Sequence, residues 1–175
     1  MASGNDFEGL VARYYDPLYK FAFSLTREEA DACDLTQQTF YVWAVKGHQL
    51  RDSTKVKTWL FTTLHRQFLE TRRRLTRFPQ QDIESAELEL PALTPELAGR
   101  LDSASVLRAL SHVDDVYQAP VALFYLEGCA YKEIAEILEV PLGTVKSRIA
   151  RGIGQLQKIL ARDLAVSGRR SPPKS

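Results

Sequence analysis

Basic and aromatic side chains, rather than groups arranged for bond-making, are the chemically suggestive residues of this chain. Such a mixture can follow a phosphate backbone and stack unpaired bases. Trp59, Phe61 and Phe68 are interleaved with seven basic residues: Lys55, Lys57, Arg66, Arg72, Arg73, Arg74 and Arg77. We interpret the aromatic residues as core and the Arg72–Arg77 cluster as a contact for a polyanion.

Residues 131–151 have the pattern of a helix-turn-helix. A short amphipathic helix would bury Ile134, Ala135 and Leu138, and a turn follows before a second helix opens at Thr144. Because such a pair of helices can lay one exposed face in the major groove of DNA, we favour DNA binding over a plain helical hairpin.

The second helix of this motif has distinct apolar and polar faces. At about 100° per residue, Val145, Ile149 and Leu156 share the apolar face. The remaining sides carry the residues predicted to contact DNA: Thr144, Lys146, Ser147, Arg148 and Arg151. We expect Ser147 and Arg151 to face the floor of the groove, whereas Lys146 and Arg148 are better placed for phosphates.

Neither catalysis nor metal binding is indicated. The sequence shows no carboxylate cluster, no Cys–His pair and no phosphate-cradling glycine loop, so a nucleic-acid enzyme is the weakest interpretation. His48 and His65 lack partners at metal-ligand spacing, so we expect no metal and no cofactor. Cys33 and Cys129 form neither a disulfide framework nor a zinc-ligand pattern. We expect Cys33 to be inert rather than a redox sensor.

The composition is that of a soluble globular protein. Of the 175 residues, 45% are hydrophobic and 26% are charged, which argues against wholesale disorder. No stretch approaches the roughly 20 apolar residues that span a bilayer, and residues 1–6 lack the features of a secretory signal. We therefore expect a cytoplasmic protein without membrane insertion.

Charge is segregated along the chain, although the net charge is only +1. Residues 1–78 carry 12 basic and 9 acidic groups, residues 79–103 carry one and six, and residues 104–175 carry 10 and 7. The acidic stretch contains three prolines and no sustained helical stripe. We predict an all-α protein of two small helical domains, 1–78 and 104–165, joined by a flexible acidic linker, 79–103, with a disordered tail, 166–175.

Three helices are predicted in the first domain. The first is amphipathic, and Pro17 within it predicts a kink or a break near Asp16. The second covers residues 29–46 and ends at Gly47. The third begins near Lys55 and carries the basic and aromatic residues described above.

These motifs resemble those of one bacterial family. Residues 128–148, GCAYKEIAEILEVPLGTVKSR, resemble the promoter-reading helix-turn-helix of sigma factors, in particular the extracytoplasmic-function (ECF) group. Asp34–Trp43 resembles that group's polymerase-binding helix, and Thr58–Arg74 resembles the helix that meets the melted minus-10 element. The likeness covers residues 7–160, with the motifs in the right order.

The resemblance implies a transcription initiation factor that binds core RNA polymerase and directs it to promoters. The polymerase-binding helix carries Asp31, Asp34, Leu35, Gln37, Gln38 and Phe40. The loop and helix that follow would hold the melted minus-10 element through Arg51, Asp52, Ser53, Lys55, Lys57, Trp59, Arg66, Arg72, Arg73 and Arg74. The helix-turn-helix would read the minus-35 element. Flipping and holding bases makes no covalent bond, so no catalytic residue is expected.

The chain departs from the family pattern at several positions. Cys33 and Gln38 stand where an acidic residue is common. Glu139 stands where such turns often have glycine, and a left-handed non-glycine residue there would cost about 1–2 kcal/mol. Gly152 and Gly154 follow Arg151, so we expect the recognition helix to fray there or to make fewer phosphate contacts beyond it.

Regulation and one alternative function complete the predictions. We expect an anti-sigma factor to cover the polymerase-binding and DNA-binding faces, and we disfavour phosphorylation of Thr36 or Thr39 as the switch. The alternative is a helix-turn-helix transcriptional regulator whose N-terminal helices sense a ligand or dimerise. Such a regulator would form stable homodimers and bind half-sites without polymerase.

Overall fold

The computed structural model describes residues 4–75 and 103–168, and their regular structure is entirely helical. The helices are α1 (Gly4–Thr26), α2 (Glu29–Lys46), α3 (Val56–Leu75), α4 (Ser103–Leu110), α5 (Asp115–Glu127), α6 (Tyr131–Leu138) and α7 (Leu142–Gly168). Two 3-10 turns, Gly47–Gln49 and Ser53–Lys55, lie between α2 and α3. The all-α prediction is confirmed. Most of the predicted linker (79–103) and tail (166–175) lies outside the described residues. At their described ends, residue 103 begins α4 and residues 166–168 belong to α7.

Helix α1 runs continuously through Pro17, so the chain does not break near Asp16. A proline inside a helix removes a hydrogen bond and crowds the preceding turn, at a cost of about 3 kcal/mol. Burial of the neighbouring turns offsets this cost, because Leu18 and Phe21 are 0% and 1% exposed. Tertiary packing therefore overrides the local signal.

Helix α2 has the bounds that the sequence predicted, and Gly47 follows its last residue. The glycine does not act as a left-handed cap, since its φ is −59°. It is needed because an added Cβ would stand 2.6 Å from the ring of Trp43. That ring packs edge-on against Trp59 of α3, with ring centroids 5.1 Å apart. The aromatic pair thus joins α2 to α3.

Helices α6 and α7 form the predicted helix-turn-helix. Ile134 and Leu138 are buried, as predicted. Ala135, also predicted to be buried, is partly exposed, and Ile137 is buried instead. The turn between the helices begins at Glu139, which has left-handed backbone angles of 57° and 42°. The strained turn predicted from the sequence is therefore present.

Helix α7 does not fray at its glycines but continues unbroken to Gly168. Gly152 lies where α7 packs against α5, and a Cβ there would be 2.3 Å from Cγ2 of Val121 and 3.0 Å from Cβ of Tyr117. The prediction that the helix frays beyond Arg151 was wrong, because the glycine allows a close helix crossing rather than ending the helix.

The two halves of the chain pack against each other. Helix α1 contacts α4 and α5, and α3 contacts α6. The buried side chains of both halves belong to one apolar cluster. This packing brings the basic helix α3 directly against the helix-turn-helix.

Candidate polymerase and nucleic-acid interfaces

The residues predicted to bind polymerase divide between the exposed face of α2 and the core beneath it. Leu35 and Phe40 are only 6% and 5% exposed, so they hold the helix in place rather than form its surface. The four polar residues of the set are exposed: Asp31, Asp34, Gln37 and Gln38. The face that a partner can reach is therefore polar and partly acidic.

Tyr41 and Val45 extend this face and were missed by the sequence analysis. Their side chains are 70% and 52% exposed. Tyr41 lies four residues after Gln37, and Val45 four after Tyr41, so helical spacing could have identified both. Two neighbouring exposed apolar side chains beside polar ones suit a protein partner.

A groove of about 500 Å³ runs beside this face. It is lined by residues of α2, by α3 and by Asp115 of α5, among them Asp31, Asp34, Leu35, Gln38, Phe68, Arg72 and Arg27. Arg27 also lines the groove, and its Nη2 lies 2.8 Å from Oδ1 of Asp115. The fold therefore brings part of the predicted polymerase face next to Arg72 of the predicted minus-10 surface.

Thr36 and Thr39 lie on the inner side of α2 and are fully buried. The Thr36 hydroxyl donates to the Ala32 carbonyl at 2.7 Å, and the Thr39 hydroxyl donates to the Leu35 carbonyl at 2.8 Å. A kinase needs an accessible hydroxyl, so phosphorylation of either residue does not fit this conformation.

The loop before α3 has a preformed turn at Asp52. The Asp52 carboxylate accepts hydrogen bonds from the Thr54 amide at 2.9 Å and from the Thr54 hydroxyl at 2.6 Å. These bonds lower the pKa of Asp52, so the carboxylate stays ionised. Arg51 and Ser53 on either side are exposed. Asp52 shapes the loop, and its two neighbours are free to meet a ligand.

Helix α3 places aromatic residues inward and basic residues outward. Phe61 is fully buried, and Trp59 and Phe68 are partly buried against the core, which agrees with their interpretation as core residues. The Arg72 guanidinium lies over the Phe68 ring, 5.9 Å from its centroid. This contact steadies one end of the basic surface.

Four of the predicted minus-10 cations contact the helix-turn-helix half of the chain. Lys55 pairs with Glu136 (Nζ to Oε2, 3.3 Å), Lys57 donates to the Glu127 carbonyl (3.2 Å), Arg66 pairs with Glu139 (Nε to Oε2, 3.1 Å), and Arg72 pairs with Asp115. The hydrogen bonds with Arg66 lower the pKa of Glu139 and raise that of Arg66. In this conformation α3 binds carboxylates where it was expected to bind DNA.

His65 of α3 lies next to Arg66, which makes one of these contacts. The pKa of His65 is lowered to about 4, mainly by burial; the negative charge of Glu139 opposes this shift, and the positive charge of Arg148 adds to it. The imidazole is therefore neutral near pH 7. Both charged groups that affect this imidazole, Glu139 and Arg148, belong to the helix-turn-helix half of the chain.

The residues predicted to read the minus-35 element do not share one environment. Lys146 is exposed, and Thr144, Arg148 and Arg151 are partly exposed. Ser147 is only 7% exposed, and its hydroxyl donates to the Thr144 carbonyl at 3.2 Å. The expectation that Ser147 faces an open groove floor is therefore not met in this conformation.

The two cysteines lie in different surroundings. Cys33 is partly exposed and lies 3.6 Å from the Tyr15 hydroxyl. Cys129 is buried, and burial raises the pKa of its thiol to about 11. Within residues 4–75 and 103–168, no group of three or more His, Cys, Asp or Glu side chains could hold a metal. None of the helices in these residues has the length and apolar character needed to cross a membrane.

Comparison with known proteins identifies the family. Residues 10–78 match the family model of sigma-70 region 2, and residues 103–156 match that of sigma-70 region 4. The ECF RNA polymerase sigma factor SigE of Mycolicibacterium smegmatis is 34% identical over 158 residues; the match covers 87% of this chain and 61% of SigE. The RNA polymerase sigma factor YlaC of Bacillus subtilis is 29% identical over 163 residues, covering 90% of this chain and 94% of YlaC.

A solved structure supports the same grouping. The sigma factor RpoE of Bartonella quintana, in complex with the anti-sigma factor NepR, aligns with a TM-score of 0.69 and 27% identity. The alignment covers 90% of this chain and 98% of RpoE. This chain belongs to the ECF sigma factors.

In this sigma factor, region 2 comprises α1–α3, and region 4 comprises α4–α6 with the first part of α7. Helix α7 continues beyond the region 4 match to Gly168. The ion pairs of Lys55, Arg66 and Arg72 are thus contacts between region 2 and region 4 of one sigma factor.

Proposed function

We propose that this sigma factor binds core RNA polymerase and directs it to specific promoters, where region 2 holds the melted minus-10 element and region 4 reads the minus-35 element. The observation that carries this proposal is the occurrence of both regions in order, one with a basic helix and the other with a helix-turn-helix. Its action would be in the cytoplasm, where the polymerase and the chromosome are.

Polymerase would bind the exposed face of α2. Asp31 and Asp34 supply negative charge, Gln37 and Gln38 supply hydrogen-bonding groups, and Tyr41 adds exposed apolar area. A complementary partner would present basic groups opposite the two carboxylates. Leu35 and Phe40 contribute by packing beneath this face.

Promoter DNA would bind two separate surfaces. Region 2 offers Arg51 and Ser53 of the loop and the cations of α3, which suit a single strand and its phosphates. Region 4 offers Lys146, Arg148 and Arg151 on α7, which suit a major groove. None of this work makes or breaks a covalent bond, so we propose no catalytic residue.

An anti-sigma factor is the proposed regulator. The structurally similar RpoE was solved with the anti-sigma factor NepR, which supports a partner of this kind here. The groove between α2, α3 and Asp115 offers such a partner both charged and apolar lining residues.

Transcription from a random-sequence library tests the proposed function. Core polymerase and the purified chain are incubated with templates that carry random DNA upstream of a transcribed reporter, and the starting templates are sequenced. We expect initiation that depends on the chain and enriches two sequence elements at a fixed spacing. A stable homodimer that binds DNA without polymerase and supports no initiation would instead favour the helix-turn-helix regulator.

A further inference from the structure

Four of the polar contacts between region 2 and region 4 use residues that would otherwise hold DNA, whereas a fifth, from Arg27 to Asp115, does not. Four basic residues make these four contacts, one in the Ser53–Lys55 turn and three in α3, and all four belong to the proposed minus-10 surface: Lys55, Lys57, Arg66 and Arg72. Three of the four partners are carboxylates of region 4: Asp115, Glu136 and Glu139. To a lysine or arginine, a carboxylate offers the same negatively charged acceptor oxygens as a phosphate.

The contacts extend along most of α3. The rise of an α-helix places positions 55 and 72 about 25 Å apart. Partners on α5 and α6 follow this length, with Glu136 at one end and Asp115 at the other. Region 4 therefore presents an acidic face, which we define as Asp115, Glu136 and Glu139, along the basic face of α3.

Glu139 links this seam to the helix-turn-helix itself. It occupies a left-handed turn position that favours glycine, yet its carboxylate accepts two hydrogen bonds from Arg66 of region 2. A glycine would relieve the backbone strain but could not form this bridge. The chain thus has, at a strained position, a side chain that joins its two proposed DNA-binding motifs, as Glu136 does one turn earlier.

The recognition helix is also partly covered. Ser147 and Ala150 lie away from the Val145–Ile149 stripe, yet they are only 7% and 4% exposed. In this conformation four cations of the proposed minus-10 surface are engaged by region 4, and these two positions on the proposed reading side of α7 are buried.

We propose that the acidic face of region 4 is an internal binding site for the basic face of region 2, which, together with the apolar packing of α1 on α5, holds the free sigma factor closed until DNA phosphates or polymerase replace its carboxylates. That the covered surface binds DNA rests on the proposed function. That region 4 covers it in the free protein does not. The ion pairs suit an exchangeable contact because their side chains are 34–63% exposed, so salt and competing anions reach them.

The test compares two double variants of the full chain that have the same net charge. Glu136→Gln/Glu139→Gln removes two carboxylates of the seam. Glu8→Gln/Asp163→Asn removes two exposed carboxylates elsewhere. Glu139→Gly is a third variant that keeps the fold, because glycine suits the left-handed turn while the bridge to Arg66 is lost. Circular dichroism checks the helix content of each.

Two measurements follow. Small-angle X-ray scattering at low salt reports closure without any ligand, and we expect a larger radius of gyration for the seam double variant than for the wild type or the control. Binding to a labelled oligothymidine of about 12 nucleotides reports access to α3. We expect the seam double variant to bind about three- to tenfold more tightly than the wild type, with Glu139→Gly intermediate. We expect the control to change by less than about twofold.

Two results would overturn the proposal: a scattering curve that the seam substitutions leave unchanged, or an equal gain in oligothymidine affinity in both double variants, which would be a simple charge effect. Failure of the proposed function can be told apart from failure of this proposal, because the transcription assay tests the sigma-factor role and the scattering experiment tests closure. A chain that opens on seam substitution but supports no initiation would keep the closed state and reject the sigma-factor role.

Discussion

Gly152 of α7 lies so close to Val121 of α5 that a Cβ at the glycine would stand 2.3 Å from the valine Cγ2. This contact sets the distance at which the recognition helix crosses the helix that supports it. The orientation of the helix-turn-helix within region 4 therefore depends on the absence of one side chain.

Gly152→Ala should destabilise the protein. The added methyl must displace Val121 or Tyr117, and overpacking of this kind costs about 1–3 kcal/mol, more than the roughly 1 kcal/mol gained from better helix propensity. Gly154→Ala is the matched control, because nothing lies within 4 Å of its added Cβ. We expect that variant to be as stable as the wild type or up to about 1 kcal/mol more stable. Urea denaturation measures both, and equal stability of the two variants would contradict the packing argument.

Asp34→Arg should weaken binding to core polymerase. It reverses a charge in the middle of the exposed α2 face, where a basic partner is expected, so we predict a loss of tenfold or more in affinity, or about 1.4 kcal/mol. Glu29→Arg is the control: it reverses a charge on the same helix, about 140° around the axis from Asp34. Fluorescence anisotropy with labelled protein measures both. Unchanged affinity of a folded Asp34→Arg variant would remove this face from the polymerase interface.

Neutralising Arg73 and Arg74 should weaken single-stranded DNA binding. Both side chains are exposed and neither belongs to the contacts with region 4. Each lost phosphate contact should reduce the slope of log affinity against log salt by about 0.7. Arg13→Gln/Lys46→Gln, an equal charge change elsewhere in region 2, should leave the slope nearly unchanged. Equal slopes for the two variants would mean that the arginines at the end of α3 are merely solvated.

Arg151 and Lys146 should have different effects on promoter recognition. Arg151→Ala should cost about 1–3 kcal/mol on the preferred minus-35 sequence and relax the preference at one or two positions, because a bidentate arginine reads guanine. Lys146→Ala should weaken all sequences alike and lower the salt slope by about one contact. Competition across mutated promoters compares them, and identical profiles would place Arg151 on a phosphate.

Acidification should destabilise the protein through His65. Its pKa is about 4 in the folded chain, below the ordinary value of 6.5, so the folded state disfavours the proton. Its contribution is fully present above pH 6.5 and is lost as the pH falls toward 4. Between pH 7 and pH 5.5 we expect the free energy of unfolding to fall by about 1 kcal/mol. His65→Gln should flatten this dependence. A dependence that persists in this variant would assign the effect to other groups.

The sequence by itself determined the local elements and the family. The bounds of α2, the helix-turn-helix of α6 and α7 and the basic stretch of α3 all follow from periodicity and residue type, which act over a few residues. The left-handed turn at Glu139 agrees with the expectation drawn from the resemblance, since such motifs often have glycine at that position.

Only the tertiary structure decided how these elements meet. Pro17 predicted a kink or a break, and the helix stays unbroken where Leu18 and Phe21 are buried. Gly152 predicted fraying or fewer phosphate contacts, and the helix continues unbroken because the glycine allows a close crossing. The pairing of Arg66 with Glu139 joins residues 73 positions apart. No periodicity relates such residues. Their meeting depends on the packing of α1 on α5 and α3 on α6, which is the sum of many weak apolar contacts across the whole chain.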